Sequence, residues 1–459
     1  MIKNISSSNN LASNTHLTSH KSVYISTYGC QMNVNDSERM YSLLEMANYV
    51  QVDTPEKADL IIINSCSVRE KPVHKVHSEV GRYRKMKEKN PNLRIGVSGC
   101  VAQQEKDKLL TALPVLDFVF GPDNIDALPS IVSELDRKSS ENDKSKINYT
   151  QFRHRESYNI ETYTRNPGVA TFVNITKGCD NFCTFCVVPF TRGRERSRNL
   201  KSLVDDINRL IQTKGVQEVT LLGQNVNSYE SDCGADFGKL LETLCANTDI
   251  KRVRYTTSHP KDFNEDLVRI LAKYPEKLCK YIHLPMQSGN SEILRRMNRG
   301  YTREEYLEKI KMIKSLIPDV SLSTDIIVGF PGETEEQFMD TVSLMQEVAY
   351  ETIFAFKYSP RPLTKAARFE NQIPEDVKSR RLNYLFEKHN ELAFELAKRY
   401  ENQTLDVLVE KVEEDGTASG RTTHNKLVHF IGSQSLIGQI VPVRIIRSFP
   451  VNLRGELVQ

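Results

Sequence analysis

Six of the chain's nine cysteines fall into two groups of three, and each group has the context of an iron–sulfur site. Cys179, Cys183 and Cys186 lie together in KGCDNFCTFCVVPF, a Cys-x3-Cys-x2-Cys run. Cys30, Cys66 and Cys100 are dispersed, yet each directly follows a short apolar, strand-like run. Three thiolates can hold a four-iron cluster while leaving one iron without a protein ligand, and an open iron can bind a small molecule. Two such sites point to chemistry rather than to structural stapling. A zinc site would want a fourth ligand close to the tight run, and none falls between Asp180 and Asn199. Cys233, Cys245 and Cys279 have no partner at ligand spacing and read as small buried hydrophobes.

The elements that must position the dispersed cysteines are legible. Val23–Tyr28, Leu60–Ile63 and Arg94–Ser98 read as strands, running into Gly29-Cys30, Asn64-Ser65-Cys66 and Gly99-Cys100. Helices follow each: one capped by Asn35 and Asp36 with Met40, Leu43, Leu44 and Ala47 at helical spacing, a basic one from about Val73 to Lys89, and one after Gln104. Strands alternating with helices imply right-handed crossovers and a parallel sheet, whose C-terminal strand ends share one edge. The three cysteines can therefore converge at that edge. His74 and His77, at i and i+3 on the second helix, lack a visible third ligand and read as a helix-surface pair.

Residues 1–20 are mostly Ser, Asn and Thr and read as a disordered tail, with no apolar core of a signal peptide. The first folded unit is expected over 21–137, and the polar run RKSSENDKSKINYT opens a linker expected over 138–164. A second unit over 165–395 shows six strand-like runs: Phe172–Thr176, Glu218–Leu222, Arg252–Thr257, Tyr281–Leu284, Ser321–Val328 and Thr352–Tyr358. Six βα units fall short of the eight that close a barrel, so a partial barrel, open on one side, is expected. A helix over about Pro374–Tyr400 leads to five short strands within 396–459, which suggest a small all-β barrel. The fold class is thus α/β, with a parallel α/β domain, a partial (β/α)6 barrel and a terminal all-β barrel.

No apolar run approaches the ~18 residues that a membrane helix requires. A net charge of +3 does not by itself imply a nucleic-acid partner. The small barrel's charges are nearly balanced and add no support for one. Local clustering says more: Arg192, Arg194, Arg196 and Arg198 alternate just after the tight cysteine run, and arginine suits phosphate contacts. A second cluster, Arg295, Arg296, Arg299 and Arg303, fits a solvated face as well as a phosphate contact.

GCDNFCTFCVVPFTRG resembles the cluster-binding signature of radical S-adenosylmethionine enzymes. YGCQMNVNDSERM, INSCSVREK and SGCVAQQEK narrow the resemblance to their methylthiotransferase branch, as do LLGQNVNSY, HLPMQSGN, TDIIVGFPGET and YSPRPLTKAA. The ending, through GRTTHNKLVHF, is similar to the family's terminal RNA-binding barrel, the TRAM domain. The resemblance covers the chain from about Lys21 and is strongest to members that act on a prenylated adenosine of tRNA.

It implies two [4Fe–4S] clusters and S-adenosyl-L-methionine, with Cys30, Cys66 and Cys100 holding the cluster that carries sulfur. Cys179, Cys183 and Cys186 would hold the cluster at which S-adenosylmethionine is cleaved to a 5′-deoxyadenosyl radical. Gly223, Gln224, Gln287, Ser288 and Phe185 would bind the cofactor, and Gly329–Gly332 would sit at the same strand ends. The implied reaction is methylthiolation of carbon 2 of the adenosine at position 37 of tRNA, beside the anticodon. A monomeric cytoplasmic enzyme is implied, served by a reducing electron-donor protein and a sulfur donor. Ser65 stands where the family often has Thr. Leu363 and Lys365 replace an expected Gly and Pro, which alters loop stiffness near the barrel's end. A sister enzyme acting on threonylcarbamoyl-adenosine or on a ribosomal-protein aspartate is the neighbouring reading. A non-catalytic iron–sulfur RNA-binding or sensor protein is the reading from another class.

Overall fold

The computed structural model describes residues 20–67, 70–152 and 167–458. The tail expected over 1–20 therefore lies, apart from His20, outside the described residues, as does most of the second half of the expected linker. The first domain is a six-stranded sheet of β1 (Lys21–Tyr28), β2 (Tyr49–Gln51), β3 (Leu60–Ser65), β4 (Arg94–Gly99), β5 (Phe118–Phe120) and β6 (Ile147–Tyr149). Its order is β2-β1-β3-β4-β5-β6, parallel throughout. The run LIIINS of β3 is buried at every position, as a strand covered on both faces must be. Helices α1 (Gln31–Met46) and α5 (Leu128–Ser140) cover one face. The other is covered by α2 (Glu70–Lys89), α3 (Cys100–Glu105) and α4 (Asp107–Ala112).

Two expectations need correction. The linker does not begin at residue 138: α5 runs to Ser140, and β6 adds the last strand of the first sheet, pairing Ile147 with Phe118. Its three residues sit in a polar run too short to show alternation. Asn35 and Asp36 do not cap the first helix either. That helix begins at Gln31 with Cys30 at its N-cap, because the Gly29 turn brings the chain around earlier.

The second domain carries β7 (Ala170–Asn174), a two-stranded ribbon of β8 (Thr176–Lys177) and β9 (Arg196–Ser197), and then β10 (Glu218–Leu222), β11 (Arg252–Tyr255), β12 (Tyr281–His283), β13 (Ser321–Val328) and β14 (Thr352–Lys357). β7, β10 and β11 pair in parallel, as do β12, β13 and β14. Val253 and Leu278 bridge the two halves, and β14 and β7 are not paired, which leaves the partial barrel open there. Val219, Leu221, Val253, Ile282, Leu322 and Ile326 pack against the surrounding helices. Strand alternation turns their neighbours, among them Glu218, Arg254, His283 and Asp325, into the concave side.

The third domain is a closed barrel of β15 (Thr404–Val412), β16 (Thr417–Arg421), β17 (Leu427–Ile431), β18 (Ile440–Ser448) and β19 (Asn452–Leu457), in the order β15-β16-β17-β19-β18. Its β16–β17 turn, in the GRTTHNK motif, plugs one end of the partial barrel. Arg254 pairs with Glu218 at 2.9 and 3.0 Å and donates to the Thr422 and Thr423 carbonyls. Arg252 donates to the carbonyls of Arg421 and Asp406 at 2.7 and 2.9 Å. Lys426 reaches Glu351 at 2.8 Å. Both arginines are buried, so the third domain is anchored by cations of the second that have no water to turn to. Arg254→Met leaves Glu218 charged and unpaired, and should cost about 3 kcal/mol in denaturant unfolding. The Glu218→Leu/Arg254→Met double variant should recover most of that loss; equal losses in both would show that the pair is not what holds this end.

Candidate active site between two cysteine triads

Register builds the first triad. Tyr28 lies opposite Ser65 and Ser65 opposite Gly99, so β1, β3 and β4 end level, and Cys30, Cys66 and Cys100 emerge side by side. The Cys66 N–H donates to the Tyr28 carbonyl at 3.0 Å. Gly29 and Gly99 make the approach possible. A Cβ on Gly29 would sit 2.6 Å from the Cys66 Cβ, and one on Gly99 2.5 Å from the Ser65 carbonyl; Gly99 also takes a φ of +85°. Cys30 caps α1 and Cys100 opens α3, so both thiols face helix N-termini. Asn33 and Asn64, fully buried, brace the floor: Asn64 Nδ2 donates to the Asn33 carbonyl at 2.8 Å and to Ser37 Oγ at 2.9 Å. The Cys30 thiol is held down to about 5, first by hydrogen bonding with Cys66, then by the Arg192 charge and the Asn33 and Met32 N–H groups, against its burial.

The second triad is made by a loop. Gly178 donates its N–H to Gln224 Oε1 at 2.5 Å and the Cys179 N–H bonds the Gly193 carbonyl, which fixes the start of the run. Asn181 Nδ2 lies 3.5 Å from Cys179 Sγ. Arg299, buried, places Nη1 3.2 Å from Cys183 Sγ while its Nε and Nη2 donate to Tyr301 and the Pro285 carbonyl. Burial pushes the Cys179 thiol up to about 11 and that of Cys186 up to about 12. Nothing in the sequence marked Arg299 as different from the other arginines around Gly300.

The two triads are tied together. Helix α6 (Val188–Thr191) starts just after Cys186 and packs on α3, whose first residue is Cys100. Arg192, the next residue, is buried, donates to Asp36 of α1 at 2.8 Å, and lies within the fields of Cys30 and Cys100. Arg196 and Lys177 both reach Asp123, at 2.6 and 2.8 Å, and Asn174 reaches Asn35. Arg198 is wholly buried and pairs with Asp206 at 2.6 Å. The reading of these four arginines together as candidates for RNA contact is corrected accordingly. Arg192 and Arg198 are sealed from solvent, Arg196 belongs to the domain seam, and Arg194 alone is exposed, in a bidentate pair with Asp180.

The donor sets fit two clusters. Each offers three thiols with a buried guanidinium close by, a suitable balance for an anionic cluster. Among the described residues no three His, Cys, Asp or Glu side chains are grouped as one metal ion would need, and a four-iron cube spreads its ligands more widely. The remaining expected residues divide. Gly223 lies tight against Thr176, and Gln224 braces the cluster loop. Gln287, at a φ of +64°, is pinned between Asp325 and Ile327 by backbone bonds. Ser288 organises its own turn, accepting from the Asn290 N–H, and is buried. Phe185 packs on the cluster of Ile293, Met297, Phe330 and Tyr358.

Two outcomes check this site. Gly99→Val should lower reconstituted iron from about eight to about four per chain, as far as replacing Cys30, Cys66 and Cys100 by Ala does. Unchanged iron would separate Gly99 from the triad. Glu195, which accepts from the Ser228 hydroxyl, is pushed up to about 7 by burial and by the nearby Asp180 and Asp262. A carboxyl whose folded value lies above its unfolded value costs stability as pH rises between the two, and the cost is complete above about 7. Glu195→Gln should therefore stabilise the protein by about 1–2 kcal/mol at pH 8, after allowing for partial solvent screening, and by nothing near pH 4. A pH-independent difference in thermal unfolding would be the contrary result.

Comparison with known proteins agrees with this geometry. Residues 173–345 match the radical SAM superfamily, 22–121 the uncharacterized protein family UPF0004, and 398–458 the TRAM domain. The chain is 62% identical over 439 residues to the tRNA-2-methylthio-N(6)-dimethylallyladenosine synthase of Bdellovibrio bacteriovorus, covering 95% of this chain and 96% of that protein. It is 44% identical to that of Aquifex aeolicus, covering 96% and 99%. Among solved structures, the radical S-adenosylmethionine methyltransferase TsrM of Kitasatospora setae superposes with a TM-score of 0.55 at 13% identity, over 86% of this chain and 79% of that one, a likeness of fold. By identity and domain order, the chain belongs to the tRNA-2-methylthio-N(6)-dimethylallyladenosine synthase family of radical SAM enzymes.

Proposed function

We propose that this chain inserts a methylthio group at carbon 2 of N(6)-dimethylallyladenosine at position 37 of tRNA, giving 2-methylthio-N(6)-dimethylallyladenosine. The observation that carries this reading is the pair of three-cysteine sites on two domains, joined through α6 on α3 and Arg192. Exchanging an unactivated C–H for C–S needs a radical at one site and a sulfur source at another. With clusters and S-adenosylmethionine bound, Cys179, Cys183 and Cys186 would serve the first need, and Cys30, Cys66 and Cys100 the second.

The chain's own residues orient and select. Arg299 and Arg192 set positive charge against the two anionic sites and, being buried, exclude water from them. Gly223, Gln224 and Gln287 sit at the barrel strand ends where βα barrels place ligands. The gap between β7 and β14 is the base's way in. On the concave face of β14, beside that gap, Phe354 and Phe356 are exposed, with Asp325 directly across from Phe354. His283 packs edge-on to Phe354 and lies 3.6 Å from Asp325. An apolar wall carrying a carboxylate suits an uncharged alkyl substituent on the base. It repels the carboxylate of a threonylcarbamoyl group or of a protein aspartate, which favours the prenylated nucleoside over the sister substrates.

No helix among the described residues is long and apolar enough to cross a membrane. The enzyme is taken to act in the cytoplasm as a monomer, drawing on an electron-donor protein and a sulfur donor. Nucleoside analysis of tRNA from a strain lacking the protein tests the reading. The 2-methylthio form should vanish and N(6)-dimethylallyladenosine accumulate. The intact gene should restore the product, while Cys66→Ala and Cys183→Ala should not. Persistence of the methylthio nucleoside in the deleted strain would overturn the assignment.

A further inference from the structure

A cavity of about 520 Å³ opens between the β8–β9 ribbon and the loops that follow β10 and β11. None of the six cysteines lines it, nor does any residue expected to bind the cofactor, and the cluster loop contributes only Asp180 and Asn181. Five carboxylates line it, those of Asp180, Glu195, Glu230, Asp232 and Asp262, against two cations, Arg196 and Lys261. Neither cation balances them. Arg196 is turned to Asp123 at the domain seam, at 2.6 Å. Lys261 donates to Asn181 Oδ1 at 3.2 Å and stands 3.9 Å from Asp262. The crowding shows at Glu195, whose carboxyl is pushed up to about 7 by burial and then by the charges of Asp180 and Asp262. Like charges are held together here with too little counter-charge.

The amide donors of the lining are spent as well. Asn199 Nδ2 goes to Asp232 at 2.8 and 2.7 Å, and Asn225 Nδ2 goes to Asp262 at 2.7 Å. An ionised carboxylate only accepts, so the second bond fixes which way the Asn225 amide faces and leaves its Oδ1 as an acceptor. Asn225 is 2% exposed, and this Oδ1 has no hydrogen-bond partner. A buried acceptor left unpaired costs free energy until a donor meets it. The lining therefore asks for a ligand that brings both donors and positive charge. A single metal ion does not answer, because among the described residues no three His, Cys, Asp or Glu side chains are grouped as one would need. A flexible chain with spaced ammonium groups does, since each can reach a different carboxylate. We propose that this cavity binds a linear polyamine, its ammonium groups facing Asp180, Glu195 and Asp262 and one N–H meeting Asn225 Oδ1. With a net charge of +3 the chain as a whole does not attract such a cation, so the attraction is a property of this cavity.

The test uses the full chain with both clusters reconstituted, free of tRNA, and spermidine as probe. Calorimetry at pH 8 should show a single saturable site per chain. Glu195→Gln/Asp262→Asn should weaken spermidine binding about tenfold, while iron content stays at the wild-type value. Asp262→Asn alone should weaken it less, in the same direction, and guards against a folding defect in the double variant. Glu387→Gln/Glu391→Gln, which removes two exposed charges from the helix Glu375–Ala397, should leave the affinity unchanged. Butylamine, with one ammonium group, should bind about a hundredfold more weakly than spermidine. Absence of saturable binding, an equal loss in the remote variant, or unchanged affinity in Glu195→Gln/Asp262→Asn would overturn the proposal. Displacement of spermidine by an equal concentration of magnesium ions would overturn it too, by making the cavity a site for a hydrated metal ion.

Discussion

Buried charge at the seam between the first two domains holds the rest of the site in place. Asp36 and Asp123 of the first domain meet Arg192, Arg196 and Lys177 of the second, and of these only Arg196 is not fully buried. A buried ion left without its partner costs several kcal/mol, so neither domain can turn away from the other without stranding a charge. These pairs differ from an apolar interface in being directional. They fix how the domains face each other, and with it the separation of Cys100 from Cys186 through the packing of α3 on α6. Arg192 links the two requirements, since the side chain that locks the seam also lies in the field of the first triad.

The third domain is held by a different logic. Arg252 and Arg254 address backbone carbonyls of the small barrel, in β15, at the end of β16 and in the β16–β17 turn, rather than its side chains. Carbonyls are present whatever the residue, so the attachment constrains the shape of the turn more than its sequence. The concave interior of the partial barrel is thereby closed at one end by the β16–β17 turn and roofed at the other by the first domain, through Asn35 on Asn174 and Arg192 on Asp36. Among the described residues the side between β7 and β14 is left without strand pairing.

Much of this was legible in the sequence, and the failures have physical causes. Strands were readable because runs such as LIIINS and SLSTDIIV are too apolar or too β-branched for anything else, and cysteines placed directly after strands announced one shared edge. β6 was missed because three residues in a polar run carry no periodicity. The helix start was misplaced because Asn35 and Asp36 are good caps by type, while the actual start depends on a turn at Gly29 that only the packing of Cys66 demands. The arginine run was misread for a deeper reason. Charge can be counted from sequence, but burial cannot, and of the four arginines only Arg196 lies in the β8–β9 ribbon. Arg192 and Arg198 went into the protein where their partners lay, Asp36 in another domain and Asp206 eight residues on.

The two triads differ in what must be folded before they exist. The first needs three strands in register and two glycines at close approach, so its geometry is a property of the whole sheet. The second is a loop of eight residues, positioned by Gln224 and Arg299 from outside and braced within by Asn181. A ligand set that exists only in the folded sheet makes metal binding and domain folding one event. A loop triad braced by neighbours can form or open locally, and burial raises the Cys179 and Cys186 thiols, which favours their protonated form until a metal displaces the protons. The triad that would hold the cofactor-binding iron in the proposed reaction thus rests on the more adaptable scaffold. The triad that would present sulfur in the proposed reaction rests on the sheet, and the buried pairs of the seam hold the two scaffolds together.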